Sequence, residues 1–258
     1  MRSNKVRLNN GCTIPVIGFG TYSAENDRET TEQAIHMALE MGYRHFDTAK
    51  IYGSEPAVGN ALQEAIHVGM IQREDVFVTS KLWGSDHHDP VSALKQSLKN
   101  LGMEYIDLYL VHWPVSLKSR VTYPVPQEDD FEHFDLEQVW CGMEKCVEMG
   151  LCRSIGVSNF SCKKIEQLLD FACIPPAVNQ VEMHPMWRQR KLRKLCGDYG
   201  IHISAYSPLG GPGNLWGSTA VVNNPLIQSI ALKHKATPAQ VRKNKIHLNS
   251  NALSKAPS

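Results

Sequence analysis

Asp47, Tyr52, Lys81 and His112 are the residues of this chain whose types and placement could do chemistry together. Asp47 stands in a short apolar run, Arg44-His45-Phe46-Asp47-Thr48-Ala49, and Tyr52 follows five residues after it. Lys81 lies near the end of a second strand-like run, residues 75–82, and His112 closes a third that begins at Ile106. A tyrosine donates a proton poorly at neutral pH, because its unperturbed pKa is about 10. A nearby cation that favours the phenolate turns it into a usable general acid, and Lys81 is the candidate cation. Taken singly, a strand-end aspartate is often a cap and a histidine beside Trp113 and Pro114 is often a satisfied core residue. As a foursome with complementary chemistry, they point to acid–base work at one place.

The elements that must position them alternate along the chain. Residues 6–17 read as a hairpin around Asn9-Asn10-Gly11, whose residues tolerate the positive φ of a tight turn. Seven strand and helix units follow: 16–21 with 29–41, 44–49 with 55–68, 75–82 with 90–101, 106–112 with 135–149, 154–158 with 161–171, 177–183 with 188–199, and 202–207 with 224–234. Each strand is short and apolar, and each helix has apolar residues at helical spacing. Such alternation implies a parallel sheet covered by helices. A doubly wound sheet would need a Gly-rich phosphate loop opening into a helix. Gly18-Phe19-Gly20 lacks the third glycine and is separated from its helix by Ala24-Glu25-Asn26-Asp27, so it reads as a strand with close backbone packing. A (β/α)₈ barrel collects catalytic residues at the C-terminal ends of several strands, where Asp47, Lys81 and His112 fall. The prediction is an α/β chain of the TIM-barrel type with an N-terminal β-hairpin. Trp83 and Trp113 directly follow strand ends and are expected to wall a substrate pocket, against the plain alternative of hydrophobic core. Two long connections, 115–134 and 208–223, are of the kind that closes over a ligand or is simply a solvated loop.

Composition narrows the class. At 258 residues the chain can bury a sizeable core. A net charge of +1, with Lys and Arg scattered, lacks the basic footprint of a nucleic-acid binder. No apolar run reaches the roughly 18 residues of a membrane span, and residues 1–11 lack a secretory apolar core, so a cytoplasmic location is expected. The cysteine count of 7 is odd and without C-x-x-C spacing, which predicts reduced thiols and no zinc site. His87-His88 has no third ligand nearby, so no metal is expected.

Five motifs carry a resemblance to a known family: Gly42-Tyr43-Arg44-His45-Phe46-Asp47-Thr48-Ala49, Thr79-Ser80-Lys81-Leu82-Trp83, Asp107-Leu108-Tyr109-Leu110-Val111-His112-Trp113-Pro114, Ile155-Gly156-Val157-Ser158-Asn159-Phe160 and Val178-Asn179-Gln180-Val181-Glu182. Over about residues 5–241 the chain resembles the aldo-keto reductases, NADPH-dependent carbonyl reductases on a (β/α)₈ barrel. Through His112-Trp113-Pro114-Val115-Ser116-Leu117-Lys118 and Ser204-Ala205-Tyr206-Ser207-Pro208-Leu209-Gly210 it is similar to the plant-type branch that includes chalcone reductase, codeinone reductase and deoxymugineic acid synthase. The resemblance implies a catalytic tetrad of Asp47, Tyr52, Lys81 and His112, with Tyr52 as proton donor, Lys81 depressing its pKa, Asp47 orienting Lys81, and His112 bonding the carbonyl or assisting the transfer. Tyr52 and His112 thereby also join Trp83 and Trp113 as substrate contacts. For NADPH it implies that Ser158, Asn159 and Gln180 bind the nicotinamide carboxamide and Tyr206 stacks on its ring. Gly20, Thr21, Tyr22 and Asp47 border the same region, and Ser207, Leu209 and Gly210 approach the pyrophosphate. The implied partner is a small carbonyl substrate and the implied state a monomer.

After Thr237-Pro238-Ala239-Gln240-Val241 the family pattern stops. Where an eighth strand with a Lys-Ser pair and a further helix with an arginine are expected, residues 242–258 form a polar tail without an apolar face, expected to be disordered. A barrel ending at 241 would leave two sheet edges unpaired. It would also lack the cations expected at the 2′-phosphate, at a cost of about 1.5–3 kcal/mol for each lost charged contact. Two functions therefore compete: an NADPH-dependent carbonyl reductase, and a shortened form with weak or no catalysis acting at most as a binding protein. A Schiff-base aldolase or isomerase would use Lys81 but leaves Tyr52, Ser158, Asn159 and Gln180 unexplained.

Overall fold

The computed structural model describes residues 5–23, 27–214 and 217–240. Strands β1 (Lys5–Arg7) and β2 (Thr13–Pro15) pair antiparallel, Lys5 opposite Pro15, around the turn the Asn-Asn-Gly stretch predicts. Four strands follow in chain order: β3 (Phe19–Gly20), β4 (His45–Asp47), β5 (Phe77–Leu82) and β6 (Ile106–Val111). The connection after β6 folds into an antiparallel ribbon, β7 (Ser116–Leu117) with β8 (Phe131–Glu132), before β9 (Cys152–Ser158), β10 (Val178–Glu182) and β11 (His202–Tyr206).

A seven-stranded sheet results, ordered β3-β4-β5-β6-β9-β10-β11, with parallel pairing from β3 through β10. The order never reverses, whereas a doubly wound sheet turns back at a switch point. This is the winding a TIM-type barrel requires. The Gly18-Phe19-Gly20 stretch serves packing, as its sequence suggests: a Cβ on Gly18 would stand 2.7 Å from His45 Nδ1, while one on Gly20 would meet nothing within 4 Å. Any eighth strand, and the polar tail expected over 242–258, lie outside the described residues.

Seven helices alternate with these strands: α1 (Arg28–Glu40), α2 (Glu55–His67), α3 (Pro90–Leu101), α4 (Leu136–Glu148), α5 (Cys162–Leu169), α6 (Arg190–Asp198) and α7 (Pro225–Lys233). Their starts are chemically marked. Asp27, Asp89, Asp135 and Ser161 each accept a backbone N–H of the first turn, and Asn224 accepts two, satisfying donors that a helix leaves unpaired. Each helix buries one apolar stripe, for example Ala57, Val58, Ala61, Leu62 and Ala65 of α2.

The chain divides into two compact units: Met1–Val181 with Arg190–Ser204, and Glu182–Gln189 with Ala205–Ser258. In the first, α2 meets α3 so closely that a Cβ on Gly59 would lie 2.3 Å from the Leu101 carbonyl oxygen. Backbone cannot swing aside as a side-chain tip can. Gly59→Ala is therefore expected to destabilise by about 1–3 kcal/mol, despite a helix-propensity gain of up to about 1 kcal/mol. A lower denaturant midpoint with unchanged slope would register this.

Two buried histidines predict how stability follows pH. Burial pulls His45 from its ordinary 6.5 down to about 4, and burial with the neighbouring His88 does the same for His87. The unfolded chain takes up these protons near pH 6.5, while the folded chain resists until about pH 4. Stability is thus whole above 6.5 and drains as pH falls through that window, by about 3 kcal/mol for each histidine over the full span. Urea titrations between pH 4 and 7 measure the slope. His45→Gln should flatten it. Among the described residues no helix is long and apolar enough to cross a membrane, and no group of three His, Cys, Asp or Glu could hold a metal ion. All seven cysteines are free.

Candidate active site

Register brings the foursome together. Asp47, the last residue of β4, pairs with Gly20 of β3 and Thr79 of β5, and Leu82 of β5 pairs with Val111 of β6. Lys81 and His112 therefore emerge beside Asp47, and His112 N still donates to the Leu82 carbonyl at 3.0 Å. Tyr52 is carried by a 3₁₀ turn, Lys50–Tyr52, which ends at Gly53 with φ 69°, a conformation that suits glycine.

Lys81 is 1% exposed. Its ammonium donates to Asp47 Oδ1 and to the Thr48 carbonyl at 3.0 Å, and stands 4.8 Å from the centroid of the Tyr52 ring. Tyr52 Oη lies 3.2 Å from His112 Nε2. The electrostatics follow from this crowding. Burial works against the charge on Lys81, but Asp47 and Tyr52 outweigh it and the lysine pKa is raised, so it stays a cation. Burial holds His112, helped by the positive Lys81, well below its usual value, so it is neutral. For Tyr52 burial raises the pKa while Lys81 lowers it, and burial wins. The depressed tyrosine expected from the sequence is thus corrected: the lysine exerts the expected pull, but removal of the phenolate from water costs more than that pull returns.

The amide and hydroxyl residues form one bonded cluster that reaches the Asp47 carboxylate through Gln180. Gln180 Nε2 donates to Asp47 Oδ2 at 2.7 Å, and Ser158 Oγ donates to the Gln180 carbonyl at 2.9 Å. Asn159 Nδ2 donates to the His112 carbonyl at 3.0 Å and to Ser158 Oγ at 3.2 Å, with its backbone held at φ 64°. Thr21 is nearby too, but its hydroxyl is engaged with the Asp47 carbonyl at 3.0 Å and Ser54 Oγ at 2.8 Å.

Aromatic rings surround Tyr52 and His112. Tyr22 meets Tyr52 edge-on at 5.1 Å, Tyr52 meets His112 at 5.4 Å, and Trp83 meets His112 at 5.3 Å. Trp83 is 6% exposed and Trp113 42%. Trp83 also packs with Leu117, Val121 and Ile51, which seats the β7–β8 ribbon beside the site. His87 pins the same ribbon through Ser116 Oγ at 2.9 Å. Inside it, the buried Asp130 accepts from the Tyr123 hydroxyl and from Gln127 N at 2.8 Å, and pairs with Arg120 at 2.8 Å. The connection from 115 to 134 is thus a braced piece of structure.

Tyr206, Ser207, Leu209 and Gly210 belong to the second unit. There Tyr206 ends β11 and its carbonyl accepts from Met183 N at 3.4 Å, Ser207 takes φ 43°, and Gly210, with φ 86°, donates to the Ser207 carbonyl at 2.9 Å. Sequence reasoning missed the buried polar residues behind the tetrad, Thr48, Ser54, Glu55 and Ser80, and the half-buried Asn100 bonded to Glu55. The one available signal was a serine at a helix start.

Residues 16–241 match the family model described as Aldo/keto reductase family. Among curated proteins, the chain is 51% identical over 232 residues to a (1S)-1,7-diacetoxy-luvungin A aldo-keto reductase of Citrus sinensis, covering 89% of this chain and 72% of that one. It is 50% identical over 234 residues to deoxymugineic acid synthase 1 of Zea mays, covering 89% and 74%. With deoxymugineic acid synthase 1 of Oryza sativa subsp. japonica the identity is 52% over 235 residues, covering 90% and 74%.

Proposed function

Because the chain belongs to the aldo/keto reductase family, we propose that it is an NADPH-dependent oxidoreductase that reduces an aldehyde or ketone to an alcohol, with Tyr52 as the proton donor. The observation that carries this reading is the single contact set in which Asp47, Lys81, Tyr52 and His112 meet.

The donor set supports a nicotinamide. A carboxamide needs paired donors and acceptors, and Ser158, Asn159 and Gln180 supply hydroxyl and amide groups within one bonded cluster beside Asp47. Asn159 is held in the left-handed region, where a non-glycine residue is costly and persists only when its surroundings demand it. In this reading Ser158, Asn159 and Gln180 hold the carboxamide and Tyr206 faces the ring. Ser207, Leu209 and Gly210 serve the pyrophosphate. When bound, the nicotinamide supplies the hydride.

The chain's own residues handle the proton. His112 Nδ1 is buried without a partner among the described residues. An orphaned N–H is rarer in native proteins than an orphaned acceptor, so we assign the single proton of neutral His112 to Nε2. That N–H donates to Tyr52 Oη in the structure, and with a substrate bound it would bond the carbonyl oxygen or assist the transfer. The Lys81 ammonium stands 4.8 Å from the centroid of the Tyr52 ring, and its charge favours the phenolate. With His112 donating to Oη, the phenolic proton is free to be given to the oxygen where negative charge develops. Burial keeps Tyr52 protonated until that moment, and Lys81 stabilises the phenolate left behind. Asp47 holds Lys81 in place, and Gln180 holds Asp47.

A second reading is weak or no catalysis, with the chain acting at most as a binding protein; β3 and β11 stand at the sheet's two ends among the described residues. One experiment separates the two. The 258-residue chain is melted, then titrated with NADPH while tryptophan fluorescence is followed, and finally offered a panel of aldehydes and ketones. A cooperative melt, quenching and NADPH oxidation are expected. A cooperative melt without quenching or turnover would favour the second reading.

A further inference from the structure

Ser54 is buried at the N-cap position of α2, yet its side chain makes no capping hydrogen bond. Serine is favoured there because its oxygen accepts N–H groups of the first turn. Here the oxygen is engaged elsewhere, 2.8 Å from Thr21 Oγ1 and 2.8 Å from Thr48 Oγ1, both buried. Each hydroxyl has one proton. That of Thr21 goes to the Asp47 carbonyl, which can only accept. Ser54 must then donate to Thr21, and Thr48 to Ser54, so the row of hydroxyls has one direction.

This row brackets the turn that carries Tyr52. Thr48 and Ser54 stand on either side of it, and a lone 3₁₀ turn has little stiffness of its own. The groups at the far ends of the row hold the rest of the foursome. The Asp47 carbonyl accepts from both the amide and the hydroxyl of Thr21, and the Thr48 carbonyl accepts from Lys81. Glu55, next after Ser54, accepts from Ser80 Oγ at 2.7 Å and Asn100 Nδ2 at 2.8 Å, and Ser80 precedes Lys81 on β5. Two consecutive residues therefore tie the turn to both strands that present Asp47 and Lys81.

We propose that Ser54 is a positioning residue for Tyr52: its hydroxyl, held between Thr21 and Thr48, sets where the Lys50–Tyr52 turn sits and so the approach of Tyr52 Oη to His112 and Lys81. Its meaning for turnover rests on the reductase reading. The placement is a property of the chain alone.

The test uses both levels. In the ¹⁵N-labelled chain, Ser54→Ala should move the His112 Nε2 resonance toward its position in Tyr52→Phe. Thr48→Val should do the same, and Thr48→Ser, which keeps the hydroxyl, should restore the wild-type position. In steady-state assays Ser54→Ala and Thr48→Val should lower kcat about tenfold, as small misplacements of reacting groups do, with KM within about twofold. Ser54→Ala should add no loss in a Tyr52→Phe background. A His112 resonance unmoved by Ser54→Ala, or equal effects of Thr48→Ser and Thr48→Val, overturns the proposal. Should Ser54→Ala fail to fold, the two Thr48 variants make the same comparison. Absence of turnover in the wild-type chain would count against the reductase reading and leave the resonance test in force.

Discussion

Tyr52→Phe is expected to lower kcat for carbonyl reduction by about 10²–10⁴-fold, the span a positioned general acid supplies. The phenylalanine keeps the ring, and with it the edge contacts to Tyr22 and His112 and the position over which Lys81 stands. It loses the hydroxyl and its 3.2 Å contact with His112. Ser158 and Asn159 bond main-chain carbonyls and each other, and Gln180 bonds Asp47. NADPH affinity should therefore stay within about twofold, which is the pattern of an interaction made only in the transition state. Single-turnover rates and fluorescence titration of the same preparation test both halves. Retained turnover would refute the proton-donor role.

Lys81→Met is expected to damage both chemistry and stability. Methionine fills much of the space of the lysine stem but leaves Asp47 with Gln180 as its remaining side-chain partner from this cluster. Removing one member of a buried ion pair costs about 3–5 kcal/mol, because the other charge stays out of water. The Tyr52 phenolate loses its cation as well, so kcat should fall by about 10²-fold or more. Combining Lys81→Met with Asp47→Asn separates the two effects, since it removes the stranded charge without restoring the acid. Denaturant midpoints should recover in the double variant while kcat does not. If the midpoints did not recover, the destabilisation would have to come from packing around the lysine stem.

Much of this site was legible in the sequence because the fold repeats one simple unit. Short apolar runs marked the strands that place Asp47, Lys81 and His112, though not the 3₁₀ turn that carries Tyr52, and a chain winding in one direction must bring successive strand ends together. The Asn9-Asn10-Gly11 turn was legible for the same local reason. Other features were out of reach because they depend on distance across the fold. The net pKa of Tyr52 is a balance between burial and one cation, and only the burial was invisible. The hydroxyl row of Thr21, Ser54 and Thr48 joins residues up to 33 apart in sequence, with no spacing rule to betray it. Gln180, assigned by resemblance to a carboxamide, also braces Asp47 from 133 residues away. The segment from 115 to 134 read as a connection that closes over a ligand or is simply solvated, because its bracing by Asp130, His87 and Trp83 follows no local pattern.

That brace at Asp130 has a bearing on how such a protein can change over generations. Its partners are Arg120, Tyr123 and Gln127, whereas Val125, between Pro124 and Pro126, is exposed. Substitutions at the tip therefore leave the ribbon's conformation intact, and the conformational entropy of ordering it is settled during folding instead of at each binding event. Exposed side chains at the tip can be exchanged while Asp47, Tyr52, Lys81 and His112 inherit an unaltered frame.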